Sequence, residues 1–98
     1  MAAEKLPTTE IANRLQELDG WVLSDDTLSI SKTFEFGNFV QAFGFMTQCA
    51  IHAEKLGHHP EWSNVYKTVE VKLTTHDANG LTELDFSLAR RMEKAAKH

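Results

Sequence analysis

The sequence predicts an α+β fold, a four-stranded antiparallel sheet with three helices packed on one face, in the order αββαββα. Three observations predict it. Apolar residues recur at helical spacing in three segments, at the start, middle and end of the chain. Two pairs of short, apolar–polar alternating segments lie between them. Each pair is joined by a few turn residues and reads as a hairpin.

The first helix is expected from about Thr9 to Leu18. Thr8 can cap it after Pro7, and Glu10 suits the first turn. Ile11, Leu15 and Leu18 form one apolar stripe, and Asp19-Gly20 stops the helix. The first hairpin pairs Trp21–Ser24 with Leu28–Phe34 across a turn at Asp25-Asp26. Its second strand alternates imperfectly at Lys32 and Phe34.

The longest helix is expected from about Asn38 to Lys55. Phe39, Phe43, Met46, Ala50 and Ala53 lie at helical spacing, and Phe36, Val40, Phe45 and Ile51 widen the apolar face. A helix apolar over so much of its circumference is normally buried on more than one side, which points to self-association through it. Gly57 and Pro60 end it. Glu61–Val65 and Thr68–Thr75 form the second hairpin, with Val69, Val71 and Leu73 alternating with Glu70 and Lys72. Asp77–Gly80 reads as a loop. Thr82-x-x-Asp85 resembles a capping box at the start of the last helix, whose stripe is Leu84, Leu88, Met92 and Ala95 or Ala96.

Ninety-eight residues make one small domain, 1–98, and 42% hydrophobic with 24% charged residues is a globular balance. A net charge of −4 argues against direct nucleic-acid binding by phosphate neutralisation. No apolar run approaches the ~20 residues of a membrane span. Met1–Pro7 has neither a signal-peptide core nor a transit pattern. The lone Cys49 cannot close an internal disulfide, so a reducing, intracellular compartment is expected: the cytoplasm, and the nucleus in addition.

The densest chemistry is at the junction between the long helix and the second hairpin. His58 and His59 stand there with Glu54 upstream and Glu61 downstream, and His76 follows the hairpin. Imidazole exchanges protons near neutrality. An antiparallel hairpin brings its outer ends together, so His76 should come near His58 and His59. Three readings remain open on the residues alone. The histidines are unrelated surface groups, or part of a zinc site completed by a carboxylate, or acid–base catalysts oriented by Glu54 and Asp85. The spacing has neither the helical His-x-x-x-His nor the strand His-x-His form of a metal site. Trp21 and Trp62 are either walls of a flat-ring pocket or core residues. Cys49, within the apolar helix, reads as packing rather than a nucleophile.

The run Glu54-x-x-x-His58-His59-Pro60-x-Trp62-x-x-Val65-Tyr66, then Thr75-His76-Asp77, then Gly80-Leu81-Thr82-x-x-Asp85, closely resembles the pterin-4a-carbinolamine dehydratase family. The likeness extends to Gly20-Trp21 and Ala42–Met46 and covers nearly the whole chain. Ser63, where many members carry a large aromatic, and Leu84, where a basic residue is common, depart from the pattern. The resemblance implies dehydration of 4a-hydroxytetrahydropterins to quinonoid dihydropterins in tetrahydrobiopterin recycling, with no metal or organic cofactor. It implies His58, His59 and His76 as the catalytic set. Glu54, Asp85, Trp21, Pro60, Trp62 and Thr75 are implied as supporting or substrate-binding residues. It also implies a dimer or tetramer through the long helix. Some animal members serve as dimerisation cofactor of a homeodomain transcription factor, which makes a protein-interaction module the alternative function.

Overall fold

A computed structural model describes residues 3–97. His98, to which the sequence assigns no role, lies outside the described residues. Helix α1 spans Thr8–Gln16, β1 Val22–Leu23, β2 Ile30–Glu35, α2 Phe39–Leu56, β3 Glu61–Val65, β4 Thr68–Leu73 and α3 Glu83–Ala96, with a short 3-10 turn at His76–Ala78. The order αββαββα is the expected one.

Several boundaries differ from the expectation, each for a local reason. Thr8 does not cap α1; Pro7 holds the N-cap position without a side-chain bond. The helix stops at Gln16 because its end tightens, with Glu17 N–H on the Arg14 carbonyl and Leu18 N–H on that of Leu15. The first hairpin begins its return strand at Ile30, not Leu28. Asp26 accepts both the Ser24 hydroxyl at 2.6 Å and the Leu28 N–H at 3.0 Å, which keeps Leu28 in the turn. Strand β4 ends at Leu73 rather than Thr75, because Thr75 pairs instead with Gly80 across the 3-10 turn. Residues 77–80, expected as a plain loop, are partly that turn.

The sheet has strand order β1-β2-β4-β3, with every neighbouring pair antiparallel. Its central pair, β2 and β4, runs in register from Ile30↔Leu73 to Glu35↔Thr68. Period-two alternation puts Ile30, Phe34, Val69, Val71 and Leu73 in the core under the helices. Ser31, Thr33, Glu35, Glu70 and Lys72 point to the open face and are exposed. Lys32 explains the imperfect alternation. It lies on the helix side, where its ammonium group reaches Glu93 at 2.7 Å and the Asp19 carbonyl at 2.7 Å, above the Phe34 ring.

Phe45 of α2 and Phe86, Leu88 and Met92 of α3 complete the core. Each contributes roughly 1.5–3 kcal/mol by burial. The buried row of α2 is Ala42, Phe45, Cys49 and Ala53. Phe39, Val40, Phe43 and Ile51 remain exposed, Val40 by 79%. Asn38 caps the helix by accepting the Gln41 N–H at 2.9 Å.

Candidate active site

The end of α2 fixes His58. Gly57 adopts a left-handed conformation with φ 63°, which a residue without Cβ takes readily. Gly57 N–H then bonds the Glu54 carbonyl and His58 N–H the Ala53 carbonyl, the paired bonds of a Schellman termination. This anchors the His58 backbone to the last turn of the helix. Pro60 prevents any continuation, and β3 begins at Glu61.

His58 is buried, and its Nε2 lies 2.6 Å from Asp85 Oδ1. Asp85 is 0% exposed in the first turn of α3. Its other oxygen accepts the Thr75 hydroxyl at 2.8 Å and the Thr82 N–H at 3.0 Å. The last of these belongs to a capping box, as the Thr-x-x-Asp spacing predicts. A buried carboxylate is tolerable only with such a donor set. One residue pair thus closes the helix terminus and supports the histidine.

His59 and His76 differ. His59 Nε2 meets Glu54 Oε1 at 2.6 Å, and both side chains are exposed. His76 Nε2 meets Glu61 Oε2 at 3.0 Å, and its side chain is 81% exposed. The register Glu61↔Lys72 sets the entry to β3 beside the exit from β4, and the contact this gives His76 is with Glu61. Each histidine therefore has its own carboxylate. Among the described residues, no group of three or more His, Cys, Asp or Glu is arranged to hold a metal ion.

Glu54 pairs with His59, and Asp85 pairs with His58. Glu61 was visible in the sequence only as a carboxylate downstream of the histidines; its contact with His76 depends on hairpin register. Thr82 was visible only as a helix cap. Thr75 is buried in the Asp85 network, while Pro60 is half-buried beside His59. Trp62, half-buried, packs against the core. Trp21 is 7% exposed and meets the Phe34 ring edge-on at 5.9 Å. Its Nε1 is the one buried side-chain nitrogen or oxygen among the described residues without a hydrogen-bond partner.

A cavity of about 220 Å³ opens beside His76, walled also by Asp26, Ser29, Lys72, Thr74 and Asn79. A larger one, about 790 Å³, contains none of the three histidines. It lies between the end of α1 and α3, and Glu17, Asp19, Arg91 and Lys94 are among the residues that line it. Size therefore does not locate the chemistry. Cys49 is remote from this chemistry in kind: burial pushes its thiol up to about 12, so it is not a thiolate near neutrality. No helix of the described residues is long and apolar enough to cross a membrane.

Comparison with known proteins agrees with this architecture. The family model for Pterin 4 alpha carbinolamine dehydratase matches residues 4–95. A Rhizobium johnstonii protein bearing the name "Putative pterin-4-alpha-carbinolamine dehydratase" is 65% identical over 96 residues, covering 98% of this chain and 95% of that one. The crystal structure of a transcriptional coactivator/pterin dehydratase from Brucella melitensis superposes with a TM-score of 0.93 at 48% identity, covering 96% of this chain and all of that one. A pterin dehydratase-like protein identified as a RuBisCO assembly factor in the alpha-carboxysome shares the fold, with a TM-score of 0.69 at 24% identity over 79% of this chain and 89% of its own. On the family match and the 65% identity, the chain belongs to the pterin-4a-carbinolamine dehydratase family.

Proposed function

We propose that the protein dehydrates 4a-hydroxytetrahydropterin to the quinonoid dihydropterin by histidine acid–base catalysis, in tetrahydrobiopterin recycling in the cytoplasm. The substrate carries a hydroxyl on a carbon next to a ring nitrogen. One proton goes to the departing hydroxyl, which leaves as water. Another comes off the ring N–H, and the nitrogen electrons form the new C=N bond. The reaction is redox-neutral and needs two proton carriers. His58 and His76 are the proposed carriers, and His59 contacts the substrate. Acid–base assistance of this kind is worth about 10²–10⁴-fold.

The observation that carries the reading is the buried His58–Asp85 pair, held by Thr75 and Thr82. A surface histidine with no role has no reason to sit on a buried carboxylate. Trp21, Pro60 and Trp62 are proposed to shape the ring site around it. The exposed row Phe39, Val40, Phe43 and Ile51 supports assembly into a dimer or homotetramer through α2.

A second reading, a dimerisation cofactor for a transcription factor, has support in the name of the Brucella melitensis protein and in the same exposed row. The two readings separate in His58→Ala and His76→Ala variants with intact folds by circular dichroism. Catalysis is expected to fall at least about 10²-fold in both, while capture of a partner through α2 survives. Near-wild-type dehydration in both variants would sink the acid–base reading.

A further inference from the structure

The hydrogens around Asp85 follow from a count of donors and acceptors. An ionised carboxylate only accepts. Oδ2 receives the Thr82 N–H and the Thr75 hydroxyl. Thr75 has one hydroxyl hydrogen and places it on Asp85. In the 2.8 Å contact between the Thr75 and Thr82 hydroxyls, Thr82 must therefore donate. Thr82 Oγ1 in turn accepts the Leu84 N–H at 3.2 Å. Every assigned hydrogen in this buried chain runs toward the carboxylate, whose place in the first turn of α3 suits negative charge. With the carboxylate ionised, the remaining neighbour, His58 Nε2 at 2.6 Å from Oδ1, donates as well.

His58 Nδ1 has no protein partner among the described residues. It is not among the buried atoms left unpaired, where Trp21 Nε1 stands alone, so it opens to solvent. We infer that His58 keeps a hydrogen on Nε2 in both protonation states and exchanges protons with substrate through Nδ1 alone. Thr82 is the positioning residue that imposes this, by aligning Thr75 and Asp85. The inference rests on the proposed reading of His58 as a proton carrier and assigns the working atom. Thr82 is fully buried. Without its hydroxyl, Thr75 loses a donor and is free to turn. Asp85 can then hold a proton on Oδ1 and donate it in a hydrogen bond to an unprotonated Nε2, with the ring hydrogen of a neutral His58 on Nδ1.

The test is nitrogen-15 NMR of the His58 ring in the full chain, at a pH where the imidazole is neutral, with dehydration rates measured in parallel. Wild type is expected to carry its hydrogen on Nε2. Asp85→Asn, whose amide NH₂ would face Nε2, is expected to shift it to Nδ1. Thr82→Val is expected to yield a mixture of tautomers and a rate about tenfold lower. Thr82→Ser, which retains the hydroxyl, is expected to restore both. A wild-type ring protonated on Nδ1 overturns the inference, as does a folded Thr82→Val protein with wild-type tautomer and rate. Should Thr82→Val fail to fold, the wild-type and Asp85→Asn tautomers decide. An undiminished rate in His58→Ala would instead remove the catalytic reading and leave the tautomer assignment standing.

Discussion

Gly57→Ala tests how the helix terminus places His58. Gly57 has φ 63°, in the left-handed region, where a Cβ costs about 1–2 kcal/mol. No heavy atom lies within 4 Å of the Cβ that alanine would add, so no clash adds to that cost. The lower entropy of an unfolded alanine chain costs the folded state nothing and offsets roughly 0.4–1 kcal/mol. The net loss is about 1 kcal/mol, which lowers Tm by about 4–8 °C for a domain of this size. Asparagine tolerates the left-handed region better, so Gly57→Asn is expected to fall between alanine and glycine. The assay is thermal denaturation by circular dichroism at matched protein concentration. The His58 N–H bond to Ala53 depends on the same turn, so dehydration should slow in the same order. An alanine variant as stable as wild type, or more stable than the asparagine variant, would refute the reasoning.

Three further outcomes are expected. Burial alone would raise the Glu83 carboxyl, but bonds from Arg90 and Arg14 outweigh it and hold the group below its ordinary value. Its folded-state value is the depressed one, so its contribution is present above the unfolded carboxylate value and is lost as pH falls through the folded one. The stability difference between wild type and Glu83→Gln should thus be present at pH 7 and vanish in acid. It should amount to no more than about 1 kcal/mol for so exposed a cluster, and a difference unchanged by acid would contradict the assignment. Cys49, with its thiol pushed up to about 12 by burial, should resist a thiol reagent at pH 8 in the native protein and react fully in denaturant; rapid native labelling would show that α2 opens. Phe43→Glu, on the exposed row of α2, should reduce the mass seen by light scattering from a multiple of 11.1 kDa toward a single chain. An unchanged mass would place any self-association elsewhere.

Features set by near neighbours in the chain were legible in the sequence. The Thr82–Asp85 capping box, the Gly57 termination and the alternation of β4 each depend on a few consecutive residues, and each is present. Boundaries governed by side-chain bonds were not legible. Leu28 looks like a strand residue until the Asp26 carboxylate draws its N–H into the turn. The same holds for the site. Glu61 and His76 meet only because two strands pair in one register. His58 and Asp85 are 27 positions apart, and no periodicity joins them. On the residues alone Asp85 was one of two carboxylates able to orient an imidazole, the family likeness made it a supporting residue, and its pairing with His58 came from folding. The role of Thr82 beside the site was hidden behind its plainer role as a cap.

The most direct measurement is stopped-flow dehydration of a freshly generated 4a-hydroxytetrahydropterin by the purified chain. Acceleration over the buffer rate in proportion to protein concentration, with no added cofactor, is the expected result. A rate equal to that of buffer would contradict the proposed function.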